Sequence, residues 1–70
     1  GDGGVAFNAS NEEAIRAFIA GKISFLSIFD VVEDTLSHWR AEPVVSYDSV
    51  LSSDHKARAL ADAFISRKCL

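Results

Sequence analysis

The chain has 70 residues, of which 49% are hydrophobic, and it carries a formal net charge of −3 at pH 7. A sequence of this length forms one domain at most, and its apolar content is sufficient for a core, which excludes a disordered tail. The negative charge argues against a nucleic-acid partner, because binding to phosphate requires a basic surface. No apolar run approaches the roughly 20 residues that span a membrane, so a membrane partner is not expected either.

The cysteine content and the first residues bear on the cellular compartment and on domain organisation. The single cysteine, Cys69, has no partner for an internal disulfide, which favours a cytoplasmic location, and we expect it to be an ordinary thiol. The Gly-rich, acidic start lacks the basic segment of a signal peptide. It also lacks an initiator Met, so we expect residues 1–8 to be a linker from a preceding domain and the chain to be a fragment of a longer protein.

The first element in chain order is a helix predicted over residues 9–20. Ser10 stands three residues before Glu13, which is the spacing of a capping box, and Asn8 is a rival N-cap. Gly21 follows the last periodic residue and suits the left-handed position after a helix. The side of this helix expected to be buried follows a spacing of three and four residues: Asn11, Ile15, Phe18 and Ile19.

The second predicted helix covers residues 27–40 and has the clearest amphipathic pattern of the chain. Its apolar positions are Ile28, Val32, Leu36 and Trp39, with Phe29 and Val31 beside them. Pro43 forces the preceding residue towards an extended backbone, so the helix should end before it. The segment 22–25 before this helix is too short to be stable as an isolated strand and is predicted to be an extended loop.

Two further helices are predicted, at residues 47–52 and 54–67. Ser46 is a candidate N-cap for the first of them, and Ser53 or Asp54 would cap the second. The expected buried face of the last helix is Ala57, Leu60, Ala61, Phe64 and Ile65. Residues 41–45, before these helices, are predicted to be a linker, and no segment of the chain predicts a strand.

These elements together predict an all-α fold, a small bundle of four helices in one domain over residues 9–67, with residues 68–70 as a tail. Asp54 precedes Arg58 by four residues, the favourable order for an ion pair on one helix face. Most of the core is expected to come from the largest apolar side chains: Trp39, Phe18, Phe25, Phe29, Phe64 and Leu36.

No set of polar side chains in the sequence indicates a catalytic centre. His38 and His55 are the only histidines, and neither stands at a zinc-type spacing from a cysteine or a carboxylate. The acidic cluster of Asp30, Glu33 and Asp34 fits a solvated helix face better than a metal site. The Gly-rich start lacks the Gly-Lys-Ser/Thr ending of a phosphate loop. We therefore predict no catalytic, cofactor-binding or metal-binding residue in this chain.

Ser49 suggests one alternative chemistry. The segment Asp48-Ser49-Val50-Leu51 resembles the Asp-Ser-Leu motif of acyl carrier proteins, whose serine carries phosphopantetheine. The residues that follow, 52–56, are polar where that family has a strongly apolar helix, and Ser49 lies too late in the chain for that fold. An acyl-carrier-like protein is therefore a weaker alternative than an independent helical docking or dimerisation module.

A second resemblance covers most of the chain. Residues 8–14, Asn-Ala-Ser-Asn-Glu-Glu-Ala, resemble the Asn-Ala-Ala-Asn-Glu motif that opens the C-terminal domain of the 1-deoxy-D-xylulose 5-phosphate reductoisomerase family. Residues 17–25 are similar to that family's Ala-Phe-Leu-x-Gly-Arg/Lys-Ile-x-Phe segment. Three later matches follow in the family's order: Glu42-Pro43, Ser46–Leu51 and Ala57-Arg58. Leu26 departs from the family, which has a capping residue there, and this leaves Ser24 or Ser27 to cap the second helix.

The resemblance implies that the chain is the C-terminal domain of an enzyme that converts 1-deoxy-D-xylulose 5-phosphate to 2-C-methyl-D-erythritol 4-phosphate in non-mevalonate isoprenoid biosynthesis. The family uses NADPH and a divalent metal, Mg²⁺ or Mn²⁺, held by domains that precede this segment, so none of its catalytic residues maps onto this chain. The implied partner is the catalytic domain of the same polypeptide, and the parent enzyme is expected to be a homodimer. Alone, the chain is expected to be inactive and to self-associate weakly through an exposed docking face.

Overall fold

Three helices account for most of the computed structural model, which describes residues 1–68. They are α1 (Gly3–Ile19), α2 (Ser27–Ser37) and α3 (Tyr47–Lys68). The described residues contain no strand, so the prediction of an all-α fold is confirmed, whereas the prediction of four helices was wrong. α1 packs along both α2 and α3. Cys69 and the rest of the predicted tail beyond Lys68 lie outside the described residues.

The first helix begins at Gly3, well before the predicted start at residue 9. Gly3 and Gly4 have low helix propensity, which is why the sequence suggested a linker here. Tertiary packing outweighs that propensity, because Ala6 and Ala9 on the early turns of α1 are fully buried in one cluster with Ala57 of α3.

Neither of the two predicted N-caps begins α1. Ser10 is buried well inside the helix, and its Oγ donates a hydrogen bond of 2.8 Å to the carbonyl of Ala6, a bond that satisfies a buried hydroxyl within its own helix. Asn8 is likewise inside the helix and exposed. The helix begins instead after Asp2, whose carbonyl accepts from the N–H groups of Val5 and Ala6 at 3.0 and 3.1 Å.

The end of α1 is formed as the sequence predicts. Gly21 has a φ of +76°, which lies in the left-handed region that side chains other than glycine disfavour. The N–H of Lys22 donates to the carbonyl of Ala17 at 2.9 Å, and the N–H of Gly21 donates to that of Phe18 at 3.0 Å. This pair of bonds is a Schellman motif, which satisfies two of the last carbonyls of the helix.

The second helix is shorter than predicted, and neither serine stands at its cap position, which Leu26 occupies without a side-chain capping bond. Ser24 closes the turn before the helix, where its Oγ accepts from the N–H of Ser27 at 3.3 Å. The helix ends at Ser37 instead of residue 40. Trp39 therefore lies in the connection to α3, where its indole reaches Asp2 at the start of α1.

The third and fourth predicted helices are one continuous helix. Ser46 caps it as predicted, since its Oγ accepts from the N–H of Ser49 at 3.1 Å. The predicted break at Ser53 does not occur, because Ser53 is buried in the helix and its Oγ donates to the Asp2 carboxylate at 2.5 Å. The Ser53 hydroxyl, which the sequence suggested as a helix cap, instead makes a tertiary hydrogen bond to Asp2.

Small side chains build the core. The buried hydrophobic residues are Ala6, Ala9, Ala14, Ala17, Ile23, Ile28, Val31, Ala57, Ala61 and Ile65. Alanines line both sides of the contact between α1 and α3, so little side-chain volume separates these two helices. On α3, Ala57, Ala61 and Ile65 are buried as predicted.

The large side chains expected to carry the core mostly lie outside it. Phe18, Phe25, Phe29 and Leu36 are 38–60% exposed, and Trp39 and Phe64 are partly buried. The predicted face of α1 was also wrong, because Ile15 and Ile19 are exposed and the alanines on another side of the helix are buried. Counting large apolar residues favoured the wrong side of α1.

Two glycine substitutions test the helix boundaries. Gly21→Ala should lower the free energy of unfolding by about 1–2 kcal/mol, because the backbone there has a φ of +76°. Gly4→Ala, inside α1 with no atom within 4 Å of the added Cβ, should raise it by about 0.5 kcal/mol. Urea unfolding followed by circular dichroism measures both, and changes of the same sign would contradict these assignments.

Candidate functional site

The polar residues considered as catalytic or metal-binding candidates are spread over the surface. His38 is exposed at the end of α2, with its Nδ1 2.9 Å from the carbonyl oxygen of Asp34. His55 is exposed on α3, and Asp30 and Glu33 are exposed on α2. Within residues 1–68, no three His, Cys, Asp or Glu side chains are grouped closely enough to hold a metal ion together.

Ser49, the residue that resembles a carrier serine, belongs to the N-terminal cap of α3. Its Oγ donates to the carbonyl of Ser46 at 2.7 Å and accepts from the N–H groups of Val45 and Ser46, each at 3.1 Å. Together with the bond from the Ser49 N–H to Ser46 Oγ, this forms a reciprocal cap. The cap accounts for both serines without a prosthetic group.

The carboxylate of Asp2 joins three segments of the chain, in an arrangement we call the Asp2 clasp. Its Oδ1 accepts from Trp39 Nε1–H at 2.8 Å and from the Glu42 N–H at 2.9 Å. Its Oδ2 accepts from the Ser53 hydroxyl at 2.5 Å. Asp2 is only 1% exposed, and the hydrogen bonds from Ser53, Glu42 and Trp39, in that order, lower its pKa to about 2 against the opposing effect of burial.

The Asp2 clasp could not be predicted from the residues around Asp2. Asp2 is flanked by glycines, and the pattern around it is that of a solvated linker. Its three donors lie 37, 40 and 51 residues away along the chain. A local pattern carries no signal for donors at such separations.

A second polar contact, the Arg58 cluster, joins α1 to α3. Arg58 donates from Nε to Asp54 at 2.8 Å, from Nη1 to Glu13 at 2.8 Å and from Nη2 to Glu12 at 2.7 Å. The predicted pair of Asp54 and Arg58 is thereby confirmed, and Glu13 serves in this cluster instead of a capping box. Charge-assisted bonds of this kind are shorter and stronger than neutral ones.

Glu13 and Asp62 form a carboxyl pair beside this cluster. Burial raises the pKa of Glu13, but the neighbouring Asp62 side chain, the hydrogen bond from Arg58 and the charges of Arg16 and Arg58 outweigh it and hold that pKa below its usual value. Partial desolvation and the adjacent Glu13 carboxylate raise the pKa of Asp62, although Asp62 is exposed overall. As the pH falls, Asp62 therefore takes up a proton first, and Glu13 stays ionised towards Arg58.

A third feature is apolar and exposed. We define the aromatic face as Phe7, Phe18, Phe25, Phe29 and Leu36. The ring centroids of Phe18 and Phe25, and those of Phe25 and Phe29, are each 5.8 Å apart in edge-to-face geometry. Phe7, Phe29 and Leu36 line an open groove of about 670 Å³ between α1 and α2. None of the helices in residues 1–68 combines the length and the apolar content needed to cross a membrane.

These features make the aromatic face the candidate functional site. The Asp2 clasp and the Arg58 cluster are satisfied internally, and every buried side-chain nitrogen or oxygen in the described part of the chain has a hydrogen-bond partner. The aromatic face, in contrast, leaves large apolar rings in solvent, and such surfaces mark sites of interaction. The arrangement is suited to binding another surface.

Comparison with known proteins places the chain in a larger context. The family described as "DXP reductoisomerase C-terminal domain" matches residues 1–60. The 1-deoxy-D-xylulose 5-phosphate reductoisomerase of Treponema denticola is 45% identical over 62 residues, which cover 87% of this chain and 16% of that protein. The enzyme of the same name from Bradyrhizobium diazoefficiens is 46% identical over 63 residues, covering 84% of this chain and 16% of the relative. The enzyme of the same name from Pseudomonas savastanoi pv. phaseolicola is 40% identical over 60 residues, which cover 86% of this chain and 15% of that protein.

The Asp2 clasp predicts a dependence of stability on pH. The pKa of Asp2 is about 2 in the folded chain against an ordinary value of 3.8, so its contribution is complete above the ordinary value and is lost as the pH falls through the folded value. Asp2→Asn should therefore unfold at a lower urea concentration than the native chain near neutral pH, and the difference should shrink towards about pH 2. Asp2→Ala should unfold at a lower concentration still, because it leaves three donors unpaired. Equal urea midpoints near neutral pH would contradict this role.

The Arg58 cluster predicts different effects for two arginines. Arg58→Met should lower the free energy of unfolding by about 2 kcal/mol, because it removes charge-assisted bonds from the largely buried carboxylate of Glu13. Arg16→Met is the control, since the Arg16 side chain is 74% exposed and lies 3.6 Å from Glu13. Arg16→Met should lower the free energy of unfolding by less than about 0.5 kcal/mol. Urea unfolding measures the free energy of unfolding of both variants, and equal losses would contradict a stabilising role specific to Arg58.

Proposed function

The chain belongs to the family of DXP reductoisomerase C-terminal domains, and we propose from this membership that it is the C-terminal helical domain of an enzyme that converts 1-deoxy-D-xylulose 5-phosphate to 2-C-methyl-D-erythritol 4-phosphate. The observation that carries the proposal is the 40–46% identity to reductoisomerases over most of this chain. The chain spans about 16% of the length of those relatives, so the domain would act as one part of a longer polypeptide.

The chemistry of such an enzyme would lie outside this domain. The proposed reaction rearranges a carbon skeleton and then reduces it with NADPH, with the help of a divalent metal. We infer that this chain binds neither group, because no three His, Cys, Asp or Glu side chains in residues 1–68 are grouped closely enough to hold a metal ion and the buried polar side-chain atoms there already have hydrogen-bond partners. Asp2, Arg58 and their partners hold helices together, so we assign the domain a structural role and infer that the isolated chain is inactive.

The proposed partner of the domain is the catalytic domain of the same polypeptide. We further propose that the parent enzyme is a cytoplasmic homodimer, as the family resemblance implies. An independent helical docking module is the alternative, and the exposed aromatic face would suit it as well. The coding sequence upstream separates the two, because only a domain of a reductoisomerase would follow a reading frame for a nucleotide-binding domain.

An activity measurement tests the proposal. The full-length polypeptide that contains this segment should oxidise NADPH when supplied with 1-deoxy-D-xylulose 5-phosphate and Mg²⁺ or Mn²⁺. The 70-residue chain alone should show no oxidation above the rate without protein under the same conditions. Absence of activity in the full-length polypeptide would contradict the assigned reaction, and activity in the isolated chain would contradict its structural role.

A further inference from the structure

We propose that the aromatic face is the surface on which the preceding catalytic domain of the same polypeptide docks. This inference rests on the proposed function and adds to it the surface that the domain uses. Phe7, Phe25 and Phe29 are more than half exposed, and Phe18 and Leu36 are close to 40% exposed. The rings of Phe18, Phe25 and Phe29 are ordered against one another by edge-to-face contacts instead of being scattered singly.

The size of the face fits contact between domains. A phenylalanine presents roughly 200 Å² when fully exposed, so exposures of 38–60% leave on the order of 500 Å² of apolar surface on the five side chains. Interfaces between domains of one chain bury about 600–1,500 Å² in total, or roughly 300–750 Å² from each side. The aromatic face falls within that range.

Area alone does not separate a joined domain from a second copy of this chain. A stable complex between separate chains buries about 800 Å² on each partner, of which roughly 57% is non-polar, and the aromatic face supplies apolar area of that order. A covalently joined domain has the advantage that the linkage holds the two surfaces at a high effective concentration. Linkage therefore favours a surface of the same polypeptide as the occupant.

Charge around the face points to the same occupant. Glu33 is the charged residue lining the groove in the described part of the chain, and it also lines an adjoining hollow with three other charged residues: Asp30, Asp34 and Lys68. This edge is acidic in balance, so two copies that met through this face would each bring its excess of negative charge and a net charge of −3. A partner surface with an apolar centre and basic residues at its rim complements the face.

The interior of the groove adds a requirement for the partner. Asn11, one of the two asparagines in the family-like motif, lines the groove beside Phe7 and Phe29. Its amide can both donate and accept, so a docked backbone or side chain can pair with it when water is excluded. The partner surface is thus expected to place an apolar side chain in the groove and a polar group opposite Asn11.

Oxidative footprinting of the full-length polypeptide tests the proposal. Hydroxyl radicals modify exposed aromatic side chains, and the modification of each residue is compared with that in the same polypeptide unfolded in urea. Phe25 and Phe29 should be modified at least tenfold less in the folded polypeptide. Tyr47, which is 76% exposed at the start of α3, is the internal control and should be modified to within twofold of its unfolded level.

Each outcome of this experiment decides the proposal. Full modification of Phe25 and Phe29 would overturn it, as would protection of Tyr47 in their place. Protection that disappears on dilution would also overturn it and assign the face to a second copy. Concentration-independent protection supports the proposal, and a lack of reductoisomerase activity in that same sample would refute the assigned reaction while the docking surface stands.

A matched pair of variants gives a second readout in the full-length polypeptide. Phe29→Glu places a charge in the docked face and should raise the modification of Phe25 at least fivefold, because the two domains separate. Tyr47→Glu makes the same chemical change at an exposed site outside the face and should leave the modification of Phe25 within twofold of native. Since Phe29 is 60% exposed in the domain itself, the variant should retain its helical fold. Equal modification of Phe25 in both variants would contradict docking at this face.

Discussion

A buried carboxylate near the start of the chain constrains the whole arrangement. Asp2 is almost fully buried, and a buried charge is tolerated only when hydrogen bonds replace its water. Its three donors come from the connection after α2 and from the first half of α3, so these segments must meet at the first turn of α1. That meeting orients the Trp39 ring beside Ala6, Ala9 and Ala57, where the two long helices come into close contact.

Close contact between α1 and α3 decides which side chains are inside. Alanine buries little apolar area, so this core supplies less hydrophobic stabilisation than one built from large rings, and polar ties carry a larger share of the stability. The segments that resemble the reductoisomerase family meet at these ties. Glu12 and Glu13 of the first motif bond Arg58 of the last, and Ala9 packs with Ala57. The motif that best identifies the family therefore holds helices together, while the rings excluded from the core remain available for docking.

Local signals in the sequence were sufficient for features that depend on neighbouring residues. Gly21 at the end of α1, Ser46 at the start of α3 and the pair of Asp54 with Arg58 were all predictable, because each uses partners within five residues. The extent of α1 and the continuity of α3 through Ser53 were not, since both depend on contacts with residues far along the chain. The exposure of the aromatic face could not be predicted from the sequence. Periodicity shows which large apolar residues share one side of a helix, but it does not show whether another helix or another domain covers that side.

The hydrogen exchange rate of the Trp39 indole N–H tests most directly that the Asp2 clasp organises this fold. The chain contains one tryptophan, so its indole gives one resonance that needs no further assignment. If Trp39 Nε1–H donates to the buried Asp2 carboxylate, this proton should exchange at least about a hundredfold more slowly than that of a free indole near neutral pH. Exchange at the rate of a free indole in the folded chain would show that the Asp2 clasp is not formed and would contradict its role in organising the three helices.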